Sequence, residues 1–163
     1  MSCRFLVEIE EGDIILTNDP YMCNAAVSHL PDWIVLTPVF KDGRHIAWAA
    51  MFGHMSDNGG SVPGSIPVAA QTIFEEGIRI PPVRIMRAGK VNRDVFDIIL
   101  LNSRTPDERV GDLNAQFAAN TVGTRSVLQL FDRYGVRATQ EAIAGYLDFT
   151  ERRFRAAINR LPR

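Results

Sequence analysis

In the stretch SHLPDWIVLTPVF, residues 28–40, a histidine and an aspartate stand three positions apart around Pro31, at the mouth of an apolar run. An imidazole offers a neutral nitrogen and a carboxylate a charged oxygen, a pair suited to a divalent transition metal. The same residues also suit plain turn chemistry, with Asp32 capping the turn and His29 lying at the surface. The metal reading needs a third ligand. His54 is the candidate: it opens HMSDNGGSVPGSIP, residues 54–67, a stretch rich in glycine, serine and proline. Asp57, three residues further on, is available as a catalytic carboxylate, a fourth ligand, a partner that holds an imidazole, or a cap of its own loop.

Whether these residues can meet depends on the elements between them. DIILT, residues 13–17, reads as a strand, and NDPY ends it because Pro20 lacks a backbone donor. WIVLTPVF and HIAWAAMFG read as two more strands joined by KDGR, whose Asp42-Gly43 is a strong hairpin signal. Antiparallel pairing then returns His29, ahead of the first strand, and His54, at the end of the second, to the same end of the sheet. His29, Asp32 and His54 would form a two-histidine, one-carboxylate set with positions left open, the pattern of a catalytic rather than a closed structural site. Both strands are almost continuously apolar. That places them in the middle of a sheet covered on both faces, with Trp33 and Trp48 in the core and His45 exposed beside the turn.

Beyond residue 54 the composition forbids a regular element over most of the loop, and IRIPPVRIM, residues 78–86, returns to extended backbone. The helical period then takes over. Asn92 can cap a short helix carrying Val95, Ile98, Ile99 and Leu101. Thr105-Pro106-Asp107-Glu108 has the form of a capping box, starting a helix with Leu113, Phe117, Thr121, Leu128 and Phe131 on one stripe and an end near Gly135. A third helix from about Thr139 should bury Ile143, Leu147, Phe154, Ile158 and Leu161. The expected fold class is α+β: a mixed or antiparallel sheet in the N-terminal half followed by three helices, as a single domain over residues 1–163.

The 163 residues, 46% of them hydrophobic, suffice for one substantial core and hardly two. Eighteen basic and nineteen acidic side chains leave a net charge of −1, so nothing general attracts nucleic acid or an anionic membrane. The arginines of the tail, Arg152 to Arg163, fit a solvated helix face without the aromatic interleaving of single-strand binders. Cys3 and Cys23 form neither a CxxC pair nor a disulfide framework, which points to a reducing compartment, the cytoplasm by default. The N-terminus does not read as a signal peptide, and no run approaches the roughly 20 apolar residues of a spanning helix. The glycines of 53–64 lack the Lys-Ser/Thr ending of a phosphate loop, no GxSxG elbow occurs, and Cys23 makes a poor candidate nucleophile.

Five stretches in order, GDIILTNDPY, SHLPDWIVLTPVF, GHMSDNGGSVPGSIP, IFEEGIRIPPVRI and ILLNSRTPDERVGDLNAQFAAN, resemble the hydantoinase B/oxoprolinase family. Its members include N-methylhydantoinase B subunits, the second half of ATP-dependent 5-oxoprolinases, and alpha-type subunits of acetone and acetophenone carboxylases. The resemblance implies a subunit that hydrolyses a cyclic amide, such as a hydantoin or 5-oxoproline, or carboxylates a ketone. A separate hydantoinase A-type partner would bind ATP and activate the substrate. It also implies a manganese-type metal held by the HLPD motif and a later histidine, here His29, Asp32 and His54; iron and zinc suit the same ligands. This chain has Ala-Val-Ser at 26–28 where many members have Gly-Gly-Thr, and His54-Met55 where many have paired histidines. Family subunits are several times longer. The isolated chain is therefore expected to be inactive, the alternative being a non-catalytic, truncated remnant that serves as a subunit-docking module. Apolar surface on the last helix, with Phe149, Phe154 and Ile158, and on the sheet edge near Phe5 to Ile9 leads us to expect a homo-oligomer.

Overall fold

At the tip of the predicted hairpin, Asp42 and Gly43 both adopt positive φ, 50° and 72°. A tight turn of this hand matches the twist of the two strands it joins. Those strands are β2 (Asp32–Lys41) and β3 (Arg44–His54), paired antiparallel along their length. Phe40 pairs with His45 and Val39 with Ala47, so Ile46 is the extra residue of a bulge; beyond it the register runs unbroken to Asp32 opposite His54. The computed structural model describes residues 9–22 and 27–162. Cys3, Cys23 and residues 5–8 of the expected sheet edge lie outside them.

With β1 (Ile14–Thr17), β4 (Val83–Arg87) and β5 (Lys90–Val91), the hairpin completes an antiparallel sheet of order β3-β2-β1-β4-β5. A single 3-10 turn, Ile73–Glu76, interrupts the long connection from β3 to β4. Three helices follow: α1 (Arg93–Leu101), α2 (Pro106–Tyr134) and α3 (Val136–Ile158). The α+β class and the order of its parts are as the sequence predicts.

Two compact units make up the chain, residues 1–124 and 125–163. In the first, Phe96 and Ile99 of α1 and Leu113 and Phe117 of α2 pack with Ile14, Leu16, Trp33, Val35 and Ile85 of the sheet. Asn92 caps α1 as expected, its side chain accepting from the Val95 N–H, while Ile98 and Leu101 face outward.

The sequence misplaces the hairpin in the sheet. The strand buried on every residue is β1, at the centre, and β3 is an edge. Trp33 is buried, but Trp48, on that edge, is 38% exposed and packs edge-on against the exposed His45 ring. An apolar run shows that a strand can be covered, and strand order decides whether it is.

Thr105 and Glu108 do not close a reciprocal cap. Glu108 instead accepts from the Ser56 hydroxyl at 3.0 Å, and the Thr105 N–H donates to Ser103 Oγ at 3.1 Å. The reciprocal contact appears at the 3-10 turn, where Glu75 Oε1 accepts from the Thr72 N–H at 2.9 Å.

The second unit departs furthest from expectation. Phe131 and Thr139 are buried within it. Ile143, Leu147, Phe154, Ile158 and Leu161, expected to be buried, are all between 47% and 68% exposed. The period of α3 is amphipathic, but among the described residues nothing covers its apolar face. No helix among them is long and apolar enough to cross a membrane.

Candidate metal centre

Directly opposed residues of an antiparallel pair project to the same face, with Cβ atoms about 5 Å apart. That register puts His54 beside Asp32, and His54 Nδ1 lies 2.9 Å from Asp32 Oδ1. His29 reaches the other oxygen from the turn ahead of β2, its Nε2 lying 2.8 Å from Asp32 Oδ2. The carboxylate is thus shared between two imidazoles whose ring centroids are 5.1 Å apart. Ligand-type atoms of the three residues all fall within 4.8 Å of one another. Asp32 is largely buried, whereas the side chains of His29 and His54 are 32% and 44% exposed. The donor set fits a divalent transition metal: two imidazoles and one carboxylate, with an open side for further ligands. The expected constellation is therefore assembled.

The backbone between His29 and Asp32 is held from both sides. The Leu30 N–H donates to Glu76 Oε2 at 2.8 Å, and the Leu30 carbonyl accepts from Asn18 Nδ2 at 2.8 Å and Asn58 Nδ2 at 3.0 Å. Both asparagines are almost wholly buried. Asn58 Oδ1 in turn accepts from the Trp33 indole N–H at 3.0 Å. Met55 N–H donates to the Pro31 carbonyl at 2.8 Å, which continues the strand pairing past the site. Buried polar groups satisfied in this way fix a single backbone geometry. His29, ahead of β2, and Asp32, its first residue, are consequently set by an amide clasp as well as by the hairpin.

Asp57 stands in a different environment. Oδ1 accepts from the Gly59 and Arg104 N–H groups, each at 3.0 Å. Oδ2 accepts from the Gly64 N–H at 3.0 Å and the Arg104 guanidinium at 2.8 Å. Burial alone would raise its pKa, but these four donors outweigh it and hold the carboxyl down at about 2. The described partners of Asp57 include neither imidazole. Ser65 Oγ, accepting from the N–H groups of Asn58 and Gly60, completes a structured loop. Gly77 is required opposite it, since a Cβ there would collide with the Asn58 carbonyl.

The sequence profile of the family described as Hydantoinase B/oxoprolinase matches residues 2–163. This chain belongs to that family. It is 39% identical over 155 residues to the caprolactamase subunit beta of Pseudomonas jessenii, covering 95% of this chain and 26% of that one. Identity to the 5-oxoprolinase of Dictyostelium discoideum is 36% over 127 residues, covering 78% and 10%. Superposed on the crystal structure of the ATP-dependent caprolactamase from Pseudomonas jessenii, it gives a TM-score of 0.82 at 40% identity, covering 96% of this chain and 26% of that one. A nucleotide-free acetone carboxylase structure shares the fold at 22% identity and a TM-score of 0.73, over 82% of this chain and 17% of that one. The chain thus spans about a quarter of the length of the caprolactamase chain it matches.

Within this member of the hydantoinase B/oxoprolinase family, α2 contributes residues that sequence reasoning passed over. Arg109 is fully buried with its guanidinium 4.6 Å over the Trp33 ring, and it donates to the Asp57 carbonyl. Burial lowers its pKa, an effect opposed by Asp112, Asp57 and Glu108. One and two turns further on, Asp112 and Gln116 border a cleft that His54 also lines. Met55, next to His54 in the chain, is buried in the core beneath. The i, i+3, i+7 spacing of Arg109, Asp112 and Gln116 was the available signal, since it puts them on one helical face.

Proposed function

We propose that this chain carries the metal centre of a hydantoinase B/oxoprolinase-type subunit that hydrolyses a cyclic amide after ATP-dependent activation. ATP would be consumed on a separate hydantoinase A-type partner. The observation that carries the reading is the shared carboxylate: Asp32 lies within 3 Å of two imidazoles at one end of the sheet. Amide hydrolysis is preferred over ketone carboxylation because the caprolactamase likeness, at 39–40% identity, covers nearly the whole chain.

A divalent manganese, iron or zinc ion bound there would supply Lewis-acid polarisation of an oxygen and acidification of water. His29, Asp32 and His54 would hold it. The nitrogens that would meet the ion with Asp32 are those that now face its carboxylate, Nε2 of His29 and Nδ1 of His54. The half-exposed rings leave the open side to substrate. Asp57, its oxygens already engaged, keeps the loop after His54 in one shape; in this reading it is a positioning residue. That role replaces, in this reading, the catalytic one considered for Asp57 from the sequence.

Elemental analysis of chain purified without chelator tests the proposal. We expect about one equivalent of metal in the unaltered protein and little in His29→Ala and His54→Ala. Equal metal in all three samples overturns it. The docking alternative keeps one observation in its favour, the uncovered apolar face of α3.

A further inference from the structure

We propose that Phe52 and Ile34 form a wall beside the metal centre that receives the hydrocarbon part of the substrate and selects an uncharged substrate over an acidic one. This rests on the preceding reading of the metal centre and adds to it the residues that set specificity.

Side chains alternate between the two faces of a strand, and directly opposed residues of an antiparallel pair share one face. Trp33 and Val35 of β2 pack with residues of α1 and α2, and Gly53, opposite Trp33, lies against Gln116 of α2. The residues between them therefore project to the other face, away from the helices. Asp32 and His54 are one opposed pair of that row, and Ile34–Phe52, Leu36–Ala50 and Pro38–Trp48 are the next three. The metal centre thus stands at the head of an apolar row on its own face of the sheet.

The first of those pairs is within reach of a small molecule. Two residues along a strand span about 7 Å, so a substrate whose carbonyl oxygen lies at the ion extends over Ile34 and Phe52. Phe52 is 54% exposed and Ile34 partly so, which leaves the surface open to contact. An aromatic ring left half in water gains from a hydrocarbon laid on it. Charge decides what fits. None of the side chains in the three pairs is ionisable. Across the sheet the row passes Thr17, opposite Ile34, and Ile15, opposite Leu36, before it reaches Arg84, which is already paired with Asp13 at 2.9 Å. A substrate carboxylate laid on this row would lose hydration and meet no cation in exchange.

Hydroxamates test this, because the head group binds a metal and the tail can be varied alone. The chain, supplemented with manganese or with zinc, is titrated calorimetrically with aceto-, butyro- and hexanohydroxamate. A fourth compound carries a carboxylate in place of the terminal methyl of the hexano tail. Each added methylene should tighten binding about two- to fourfold, and the carboxylate should cancel most of that gain. Phe52→Ala should lose most of the gain, and Phe52→Lys should turn the preference toward the acid-tailed compound. Both replace a half-exposed side chain, so thermal unfolding should show both variants folded. Met51→Ala is the control: Met51 neighbours Phe52 on the opposite face, is 37% exposed, and should leave the gain intact. Equal binding of all tails, a gain that survives in Phe52→Ala, or a gain lost equally in Met51→Ala overturns the proposal. Acetohydroxamate separates the two readings. If it binds, loses binding in His54→Ala and gains nothing from longer tails, the apolar wall alone is wrong. If no hydroxamate binds with either metal, or binding is unchanged in His54→Ala, the metal centre falls and the wall with it.

Discussion

Asp32 and Asp57 are both largely buried carboxylates at the end of one hairpin, and they have opposite surroundings. Asp32 is approached by two partly exposed imidazoles, one at each oxygen. Asp57 is closed by three backbone N–H groups and a guanidinium. A carboxylate enclosed by fixed donors is a structural anchor. One that faces two partly exposed side chains is less tightly enclosed. The difference shows that partners, and not residue type or nearness to the site, decide which acid is available for chemistry.

The contrast can be broken most forcefully at Asp57. Replacing it with Ala strands three backbone donors and Arg104, and should cost about 3 kcal/mol of stability in urea unfolding. Asp32→Asn, measured in the presence of chelator, should change stability by less than about 1 kcal/mol while abolishing metal retention. Comparable destabilisation by the two would erase the distinction.

Acid sharpens it next. The folded-state pKa of Asp57 is about 2 against an ordinary value of 3.8. Its stabilisation is therefore fully present above about pH 4 and is lost as pH falls through 3.8 toward 2. A contribution of about 2 kcal/mol is expected by linkage. It should be visible as a fall in unfolding midpoint over that window and missing in Asp57→Asn. The smallest effect belongs to α3. Phe154→Ser or Ile143→Ser should change the stability of this chain by no more than about 0.5 kcal/mol, because neither side chain is buried. A loss of 2 kcal/mol in urea unfolding would show that the face is covered after all.

The convergence of His29, Asp32 and His54 was legible because it needed only a hairpin, and Asp42-Gly43 announces one. Apolar runs bounded by turn residues likewise located the strands, and Asn92 and Thr105-Pro106 the starts of α1 and α2. Strand order was not legible, since nothing local in WIVLTPVF or HIAWAAMFG states which of them has a neighbour on both sides; that is why Trp48 was misplaced. Nor was the covering of α3. Its apolar period is real, but a period names a face without naming what meets it. The clasp of Asn18, Asn58 and Glu76 on Leu30 was invisible for a related reason. Those residues lie 12, 28 and 46 positions from Leu30, and in the sequence they read as ordinary loop polar residues.

The bulge at Ile46 has a consequence for inheritance. A strand has a two-residue alphabet, in or out, so every residue counted between turn and site carries parity. With Ile46 as the extra letter, His54 falls opposite Asp32. Were Ile46 to pair regularly with Val39 instead, Gly53 would take that place and the imidazole would turn to the opposite side of the ribbon. The hairpin can therefore vary freely in spelling, but at this length the bulge eight places before the histidine has to stay for His54 to face Asp32.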